Sequence, residues 1–344
     1  MKKILVIRND KIGDFMLAWP ALAMLKVSLP DCHISALVPE YTAALAHLCP
    51  WIDHVLTDPG KKAEKQEKKA LVSQIKQYGF DASINLFSTT YNALLVWKAG
   101  IPYRLAPATK IAQFFYNHRI KQKRSLSLKP EYEYNLDLVR AFLTDIGVEV
   151  IEPASPYLKF NPVDVAQQRL KFAGESGLSL SKRWLFVHAG SGGSANNLSL
   201  KQYADLIGGI SVEKEVVLTA GPGEEEKAQA LKSLLSESDV NAFVYAKNDG
   251  LVDFSRSIAC ADVFMAGSTG PLHIAAALDV PTIGFFPAKR SATPLRWRPL
   301  NSEGRHIAFV PPPADEKSQQ EDMSRIDPAE VLETLNPWIA SYLS

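Results

Sequence analysis

Short apolar runs, each followed by a helical stretch, recur along nearly the whole chain, and this alternation constrains the fold more than any other feature. Ile4 to Ile7 is unbroken apolar, as a strand covered on both faces requires. A polar loop, Asn9 to Asp14, follows. A helix is then expected from Phe15 to Val27, stopped by Pro30, with Pro20 predicting a kink or a late start. Further strands are read at His33 to Val38, His54 to Leu56 and Ala82 to Phe87, and helices at Lys61 to Tyr78 and Tyr91 to Ala99. In the second half strands are read at Trp184 to His188, Glu215 to Thr219, Phe243 to Tyr245, Val263 to Met265 and Thr282 to Phe286, the last closing its sheet. Helices start near Leu200, Glu224, Leu251 and Gly270. The pattern predicts an α/β chain with two Rossmann-like, doubly wound parallel-sheet domains.

A length of 344 residues suits two such domains. Pro153, Pro156 and Pro162 break regular structure between Val150 and Lys182, so the domains are expected at 1–160 and 161–344. The last helix, Pro328 to Tyr342, is compatible with either and is free to pack back on the first. Two sheets facing a central cleft would bind ligands beyond the carboxyl ends of their strands, which directs attention to the loops there.

Composition narrows the function. A formal net charge of +1 argues against a general nucleic-acid binder. Cys32, Cys49 and Cys260 lie far apart, with no pair at metal-ligand or redox spacing, and read as buried residues of a reducing compartment. No apolar run approaches the roughly 18 residues of a membrane span. A cytoplasmic protein is expected, with peripheral contact at the inner membrane surface left open.

Four loops carry candidate chemistry. Gly13 permits a tight turn, and Asp14 at the following helix start is either its N-cap or a general base. Asp10 is the rival carboxylate. The small residues Ala189 to Ser194, including Ser191, form either an anion cradle or an ordinary loop. Glu224 is placed to accept from a ribose hydroxyl or to serve as a first-turn glutamate. In Gly267-Ser268-Thr269-Gly270-Pro271-Leu272-His273 a strand ends and a helix begins, so free N–H groups and the helix dipole offer an anion site, with His273 one turn in; the alternative is a capped helix with a partly buried histidine.

Between Asp81 and Glu131 there is no acidic residue, while Lys98, Arg104, Lys110, Arg119, Lys121, Lys123, Arg124 and Lys129 interleave with Phe114, Phe115, Tyr116 and His118. That segment suits an anionic partner, a solvated loop or single-stranded RNA. No Asp-x-Asp occurs, so a donor diphosphate would need helix N-termini and side chains in place of a metal.

ILVIRNDKIGDFMLAWPALAMLK (4–26) resembles the opening of glycosyltransferase family 9, which includes the lipopolysaccharide heptosyltransferases. MAGSTGPLHIAAALDVPTIGFF (265–286) resembles that family's donor signature, Gly-x-Asp-Thr-Gly-x-x-His, and HAGSGGSANNLSLKQYADLI (188–207) and GPGEEEKA (221–228) keep its order. The resemblance implies a GT-B architecture with an N-terminal acceptor domain and a C-terminal donor domain. It also implies inverting, metal-independent transfer from a nucleotide sugar, typically ADP-L-glycero-β-D-manno-heptose, onto an anionic lipid A–core saccharide, with no resident cofactor. Asp14 matches the base; Ser191, Thr269, Gly270 and His273 match residues near the donor phosphates; Glu224 matches the ribose contact; Asn248 to Leu251 falls where adenine would lie. Arg104, Lys110, Arg119, Lys121, Lys123 and Arg124 become candidate acceptor contacts. Two positions depart from the pattern: Ser268 replaces Asp, and Asn196 replaces Lys. Both lie near the transferred sugar, which leaves open a donor other than ADP-heptose. A nucleotide-sugar epimerase or hydrolase and a weakly catalytic binding homologue are the rival readings; a dehydrogenase is disfavoured because no GxGxxG follows the first strand.

Overall fold

The computed structural model describes residues 2–193 and 196–343. Contacts divide the chain into two compact units that meet between Tyr157 and Leu158. The first contains β1 (Lys3–Ile7), α1 (Ile12–Met16), α2 (Trp19–Ser28), β2 (His33–Pro39), α3 (Glu40–Leu48), β3 (His54–Asp58), α4 (Lys65–Tyr78), β4 (Ala82–Asn85), α5 (Thr90–Lys98), β5 (Tyr103–Pro107), β6 (His118–Ile120) and α6 (Glu131–Asp145). Its six strands run in the order β3-β2-β1-β4-β5-β6, and every pairing is parallel.

The second unit contains α7 (Pro162–Ser176), β7 (Trp184–His188), α8 (Leu200–Gly209), β8 (Glu215–Thr219), α9 (Glu225–Ser236), β9 (Ala242–Tyr245), α10 (Leu251–Ile258), β10 (Val263–Gly267), α11 (Gly270–Ala277), β11 (Thr282–Phe285), β12 (His306–Phe309), α12 (Lys317–Glu321) and α13 (Pro328–Leu343). Its sheet is also six-stranded and parallel, in the order β12-β11-β10-β7-β8-β9. In both units the central strands are apolar on both faces because helices cover both: β1 buries Ile4 to Ile7, and β7 is buried throughout.

Several expectations change in detail. The helix expected over 15–27 is two helices. The chain breaks at Leu17–Ala18, and Pro20 sits at the second position of α2, where its missing N–H costs nothing. Gly13 lies inside α1 in helical backbone, so it makes no special turn. Thr282–Phe285 does not close the second sheet, because β12 pairs outside it. That strand is short and only half buried, which leaves little periodic signal. The basic segment is not a bare loop: β5, β6 and α6 order its surroundings.

The last helix packs on α8 within the second unit, where Val331, Leu335, Ile339 and Leu343 enter the core shared with Leu206, Ile207 and Phe285. Leu335 is fully buried. Leu335→Ala should therefore cost about 2–5 kcal/mol, read as a lower denaturation midpoint; a change within experimental error would mean that α13 is not part of this core.

Candidate active site

The carboxyl end of β1 carries the first cluster. Arg8, the residue after β1, is 3% exposed and holds three carboxyl groups. Its Nε donates to Asp10 Oδ1 at 2.9 Å, its Nη2 to Asp14 Oδ1 at 2.5 Å, and its Nη1 to Glu131 Oε1 at 3.0 Å. Nη1 also donates to Asn135 Oδ1 and Leu86 O, both at 3.3 Å. Burial opposes the guanidinium's charge, but Asp10, Asp14 and Glu131 outweigh it and keep Arg8 protonated. Burial pushes the Asp10 carboxyl up to about 6; Arg8 opposes this and Asp14 adds to it.

Asp14 is not a helix cap. Lys11 occupies the N-cap of α1, and Asp14 stands in the first turn with its carboxylate turned to Arg8. Arg8 and Asp10 are the functional neighbours that sequence reasoning missed or ranked below Asp14. The signal was an arginine directly after a buried strand, a position where an isolated charge cannot be tolerated.

At the carboxyl ends of β7 and β8 the N–H groups of Ser191 and Gly192 both donate to Glu224 Oε1 at 2.7 Å. Gly221 N donates to Glu224 Oε2 at 3.2 Å, and His188 Nε2 lies 3.5 Å from the same oxygen. Burial raises the Glu224 carboxyl, but these N–H groups and His188 overcome it and hold the group below the usual range. The loop at Ser191 thus presents two of its N–H groups to the chain's own carboxylate, and Glu224 clamps that loop while keeping acceptor capacity on its second oxygen. Gly190 allows the approach, because a Cβ there would stand 2.0 Å from Glu224 Oε2. Ser194, the end of that loop motif, lies outside the described residues.

Beyond β10, Ser268 is half-buried and Thr269 is the N-cap of α11, yet its hydroxyl makes no capping bond. Gly270 opens the helix, and Pro271 follows in its first turn. Thr269 Oγ1 and His273 Nδ1 are both buried without a hydrogen-bond partner among the described residues. Burial, with His306 nearby, pushes His273 down to about 3, so its ring is neutral and supplies no cation to an anion. Leaving two such atoms unsatisfied costs about 1–3 kcal/mol each, which is tolerated where a ligand completes them.

Asn197, not singled out in the sequence, joins these loops: its Nδ2 donates to Ala189 O (3.0 Å) and Gly190 O (3.1 Å), and its Oδ1 accepts from Tyr203 OH (2.7 Å). Asn196 donates to Glu321 O at 3.0 Å, and the Glu321 carboxylate holds Lys289 at 2.6 Å, so Lys289 is a cation adjoining that loop. Asn248 and Asp249 border a separate cavity of about 190 Å³, also lined by Gln168, Phe172, Tyr245 and Asp253.

Two of the six basic candidates are already occupied. Arg104 Nε donates to Phe115 O (2.9 Å) and its Nη1 to Ile101 O (2.5 Å), bracing its own unit. Arg124 Nη1 donates to Glu131 Oε1 at 2.6 Å, beside Arg8. Lys110, Arg119, Lys121 and Lys123 are exposed. No helix among the described residues is long and apolar enough to cross a membrane.

Residues 69–326 match the family model described as glycosyltransferase family 9 (heptosyltransferase). The chain belongs to glycosyltransferase family 9. It is 56% identical over 331 residues to a Haemophilus influenzae protein named provisionally as a glycosyltransferase, covering 96% of this chain and 95% of that one. It is 24% identical over 318 residues to lipooligosaccharide heptosyltransferase 2 of the same organism, covering 89% and 88%. Among solved structures, Escherichia coli ADP-heptose lipopolysaccharide heptosyltransferase II superposes with a TM-score of 0.78 at 20% identity, covering 99% of both chains. A family 9 glycosyl transferase from Veillonella parvula gives 0.80 at 16%, covering 99% and 98%. These likenesses establish the GT-B fold for this family 9 member.

The neutral histidines give a pH signature. His273 and His306, the latter held down to about 4 mainly by burial, titrate in the folded chain well below the ordinary 6.5. The unfolded chain therefore binds more protons between about pH 3 and 6.5, and stability present above that window is lost as pH falls through it. His273→Gln should flatten that fall, measured by denaturant unfolding from pH 7 to pH 4; an unchanged slope would mean that His273 is not buried neutral.

Proposed function

We propose that this family 9 enzyme transfers a sugar from an ADP-sugar, heptose being the one its relatives' names indicate, onto the anionic inner core of lipopolysaccharide, with inversion and without a metal. The observation that carries this reading is the pair of unpartnered buried atoms, Thr269 Oγ1 and His273 Nδ1, at the start of an eight-residue helix on the carboxyl side of a parallel sheet. A diphosphate there gains the free N–H groups, the helix dipole, the Thr269 hydroxyl and a neutral imidazole as hydrogen-bond partner. Ser268 and Gly270 border the same turn. The nucleoside extends toward Asn248 and the cavity beside it. Lys289 stands in for the cation that Asn196 does not provide.

In the reaction the acceptor hydroxyl attacks the anomeric carbon from the face opposite the diphosphate. The new C–O bond forms as the bond from that carbon to the phosphate oxygen breaks. Asp14 takes the hydroxyl proton, and ADP leaves with the bonding pair. Arg8 fixes the orientation of Asp14. The anionic acceptor is met by Arg119, Lys121 and Lys123, exposed members of the basic segment. The work is done at the cytoplasmic face of the inner membrane.

Asp14→Ala should lower transfer by about 10²–10⁴-fold while ADP binding by calorimetry stays intact; turnover within a few-fold of wild type would remove Asp14 as the base. A second reading has a specific observation behind it: Asp10, in the same cluster on Arg8, has its carboxyl raised to about 6, mainly by burial. It predicts that Asp10→Asn, not Asp14→Ala, abolishes turnover. The mass of the residue missing from lipopolysaccharide in cells lacking the gene identifies the sugar, and an unchanged core mass would exclude the inner-core role.

A further inference from the structure

The basic segment carries a signal that sugar transfer does not use. A 3₁₀ turn, Ile111–Phe115, runs beside α5 and buries only Ala112. Ile111 and Phe114 are left 71% and 74% exposed. Trp97, on the last turn of α5, is 51% exposed, and its ring meets Phe115 edge-on with centroids 5.6 Å apart. Single exposed apolar side chains are ordinary, but here two stand on one short turn and a third packs on Phe115 of that same turn, a clustering that points to an interaction site.

The turn that presents them is braced. Lys110 opens it in left-handed backbone at φ 46°, a conformation rare outside glycine, and Gln113 Nε2 donates back to Lys110 O at 2.9 Å. Arg104 holds the far end through Phe115 O. Lys98 and Lys110 are exposed at the two ends of the apolar tips, and no acidic residue occurs in the chain from 82 to 130.

We propose that Trp97, Ile111 and Phe114, with Lys98 and Lys110, form a docking face for an anionic lipid surface. The apolar tips enter the boundary between headgroups and acyl chains, and the lysines meet lipid phosphates. Charge complementarity selects this occupant. A second copy of the same face would set lysines against lysines. Single-stranded RNA is served by aromatic stacking platforms, whereas the most exposed tips here include the aliphatic Ile111.

The test is cosedimentation of the full chain with vesicles of mixed phosphatidylglycerol and phosphatidylcholine, against vesicles of phosphatidylcholine alone. Binding to the anionic vesicles should be at least tenfold stronger and weaken with salt. Ile111→Ser with Phe114→Ser should lower it tenfold or more, and Lys98→Gln with Lys110→Gln should remove the preference for the anionic lipid. Tryptophan emission should shift to the blue on binding in wild type but not in Trp97→Phe, a readout independent of the serine variants. Equal binding to both vesicle types, undiminished binding by the serine variant, or a wild-type dimer that this variant converts to monomer in light scattering would each overturn the proposal. The vesicles contain neither donor nor acceptor, so such a result leaves the transfer reaction standing.

Discussion

A parallel sheet delivers all its strand ends to one side, and each connection there must satisfy its polar groups without the neighbouring-strand turns of an antiparallel sheet. Both units of this chain meet that constraint with a charged side chain shielded from solvent, fully in Arg8 and partly in Glu224. In the first, Arg8 gathers the loop at Asp10, the helix at Asp14 and the more distant Glu131. In the second, Glu224 gathers the N–H groups of Ser191, Gly192 and Gly221. The signs are opposite, but the logic is shared: a charge withdrawn from bulk water becomes the fixed point around which the loops are arranged.

The fixed points also decide which groups remain for chemistry. Two guanidinium groups, Arg8 and Arg124, stand among the three carboxyl groups of Asp10, Asp14 and Glu131, and burial, aided by Asp14, raises the Asp10 carboxyl against the pull of Arg8. Glu224 occupies the β7 loop, whereas at the start of α11 Thr269 and His273 lack hydrogen-bond partners among the described residues. Burial suppresses the charge of the His273 ring there.

Much of the fold was legible in the sequence. Strands β1 and β7 are apolar apart from Lys3 and His188 at their ends and are bounded by polar or glycine-rich loops, and helix α4 carries its apolar stripe and a closing Gly79 in left-handed backbone. Some of what escaped was weakly patterned: β6 has three residues, β12 is half-buried, and α3 follows β2 with no intervening loop; the fifteen-residue helices α6 and α7 and the strand β5 escaped as well. At the site, the loops at Asp14 and Thr269 could be picked out because they follow buried strands. Arg8 and Asn197 could not be ranked, since their importance lies in what they touch.

The sequence by itself determined the alternation of strands and helices, the parallel two-unit plan and the positions of the loops that follow the strands. These are set by local periodicity, which reports directly which faces are buried. Only the tertiary structure decided the pairings: that Arg8 meets a glutamate 123 residues away, that Glu224 fills a loop 32 to 33 residues earlier, and that Arg104 and Arg124 are bound internally while Lys110 and Lys123 are exposed. Such pairings depend on distances between atoms remote along the chain, and those distances exist only after the sheets have formed.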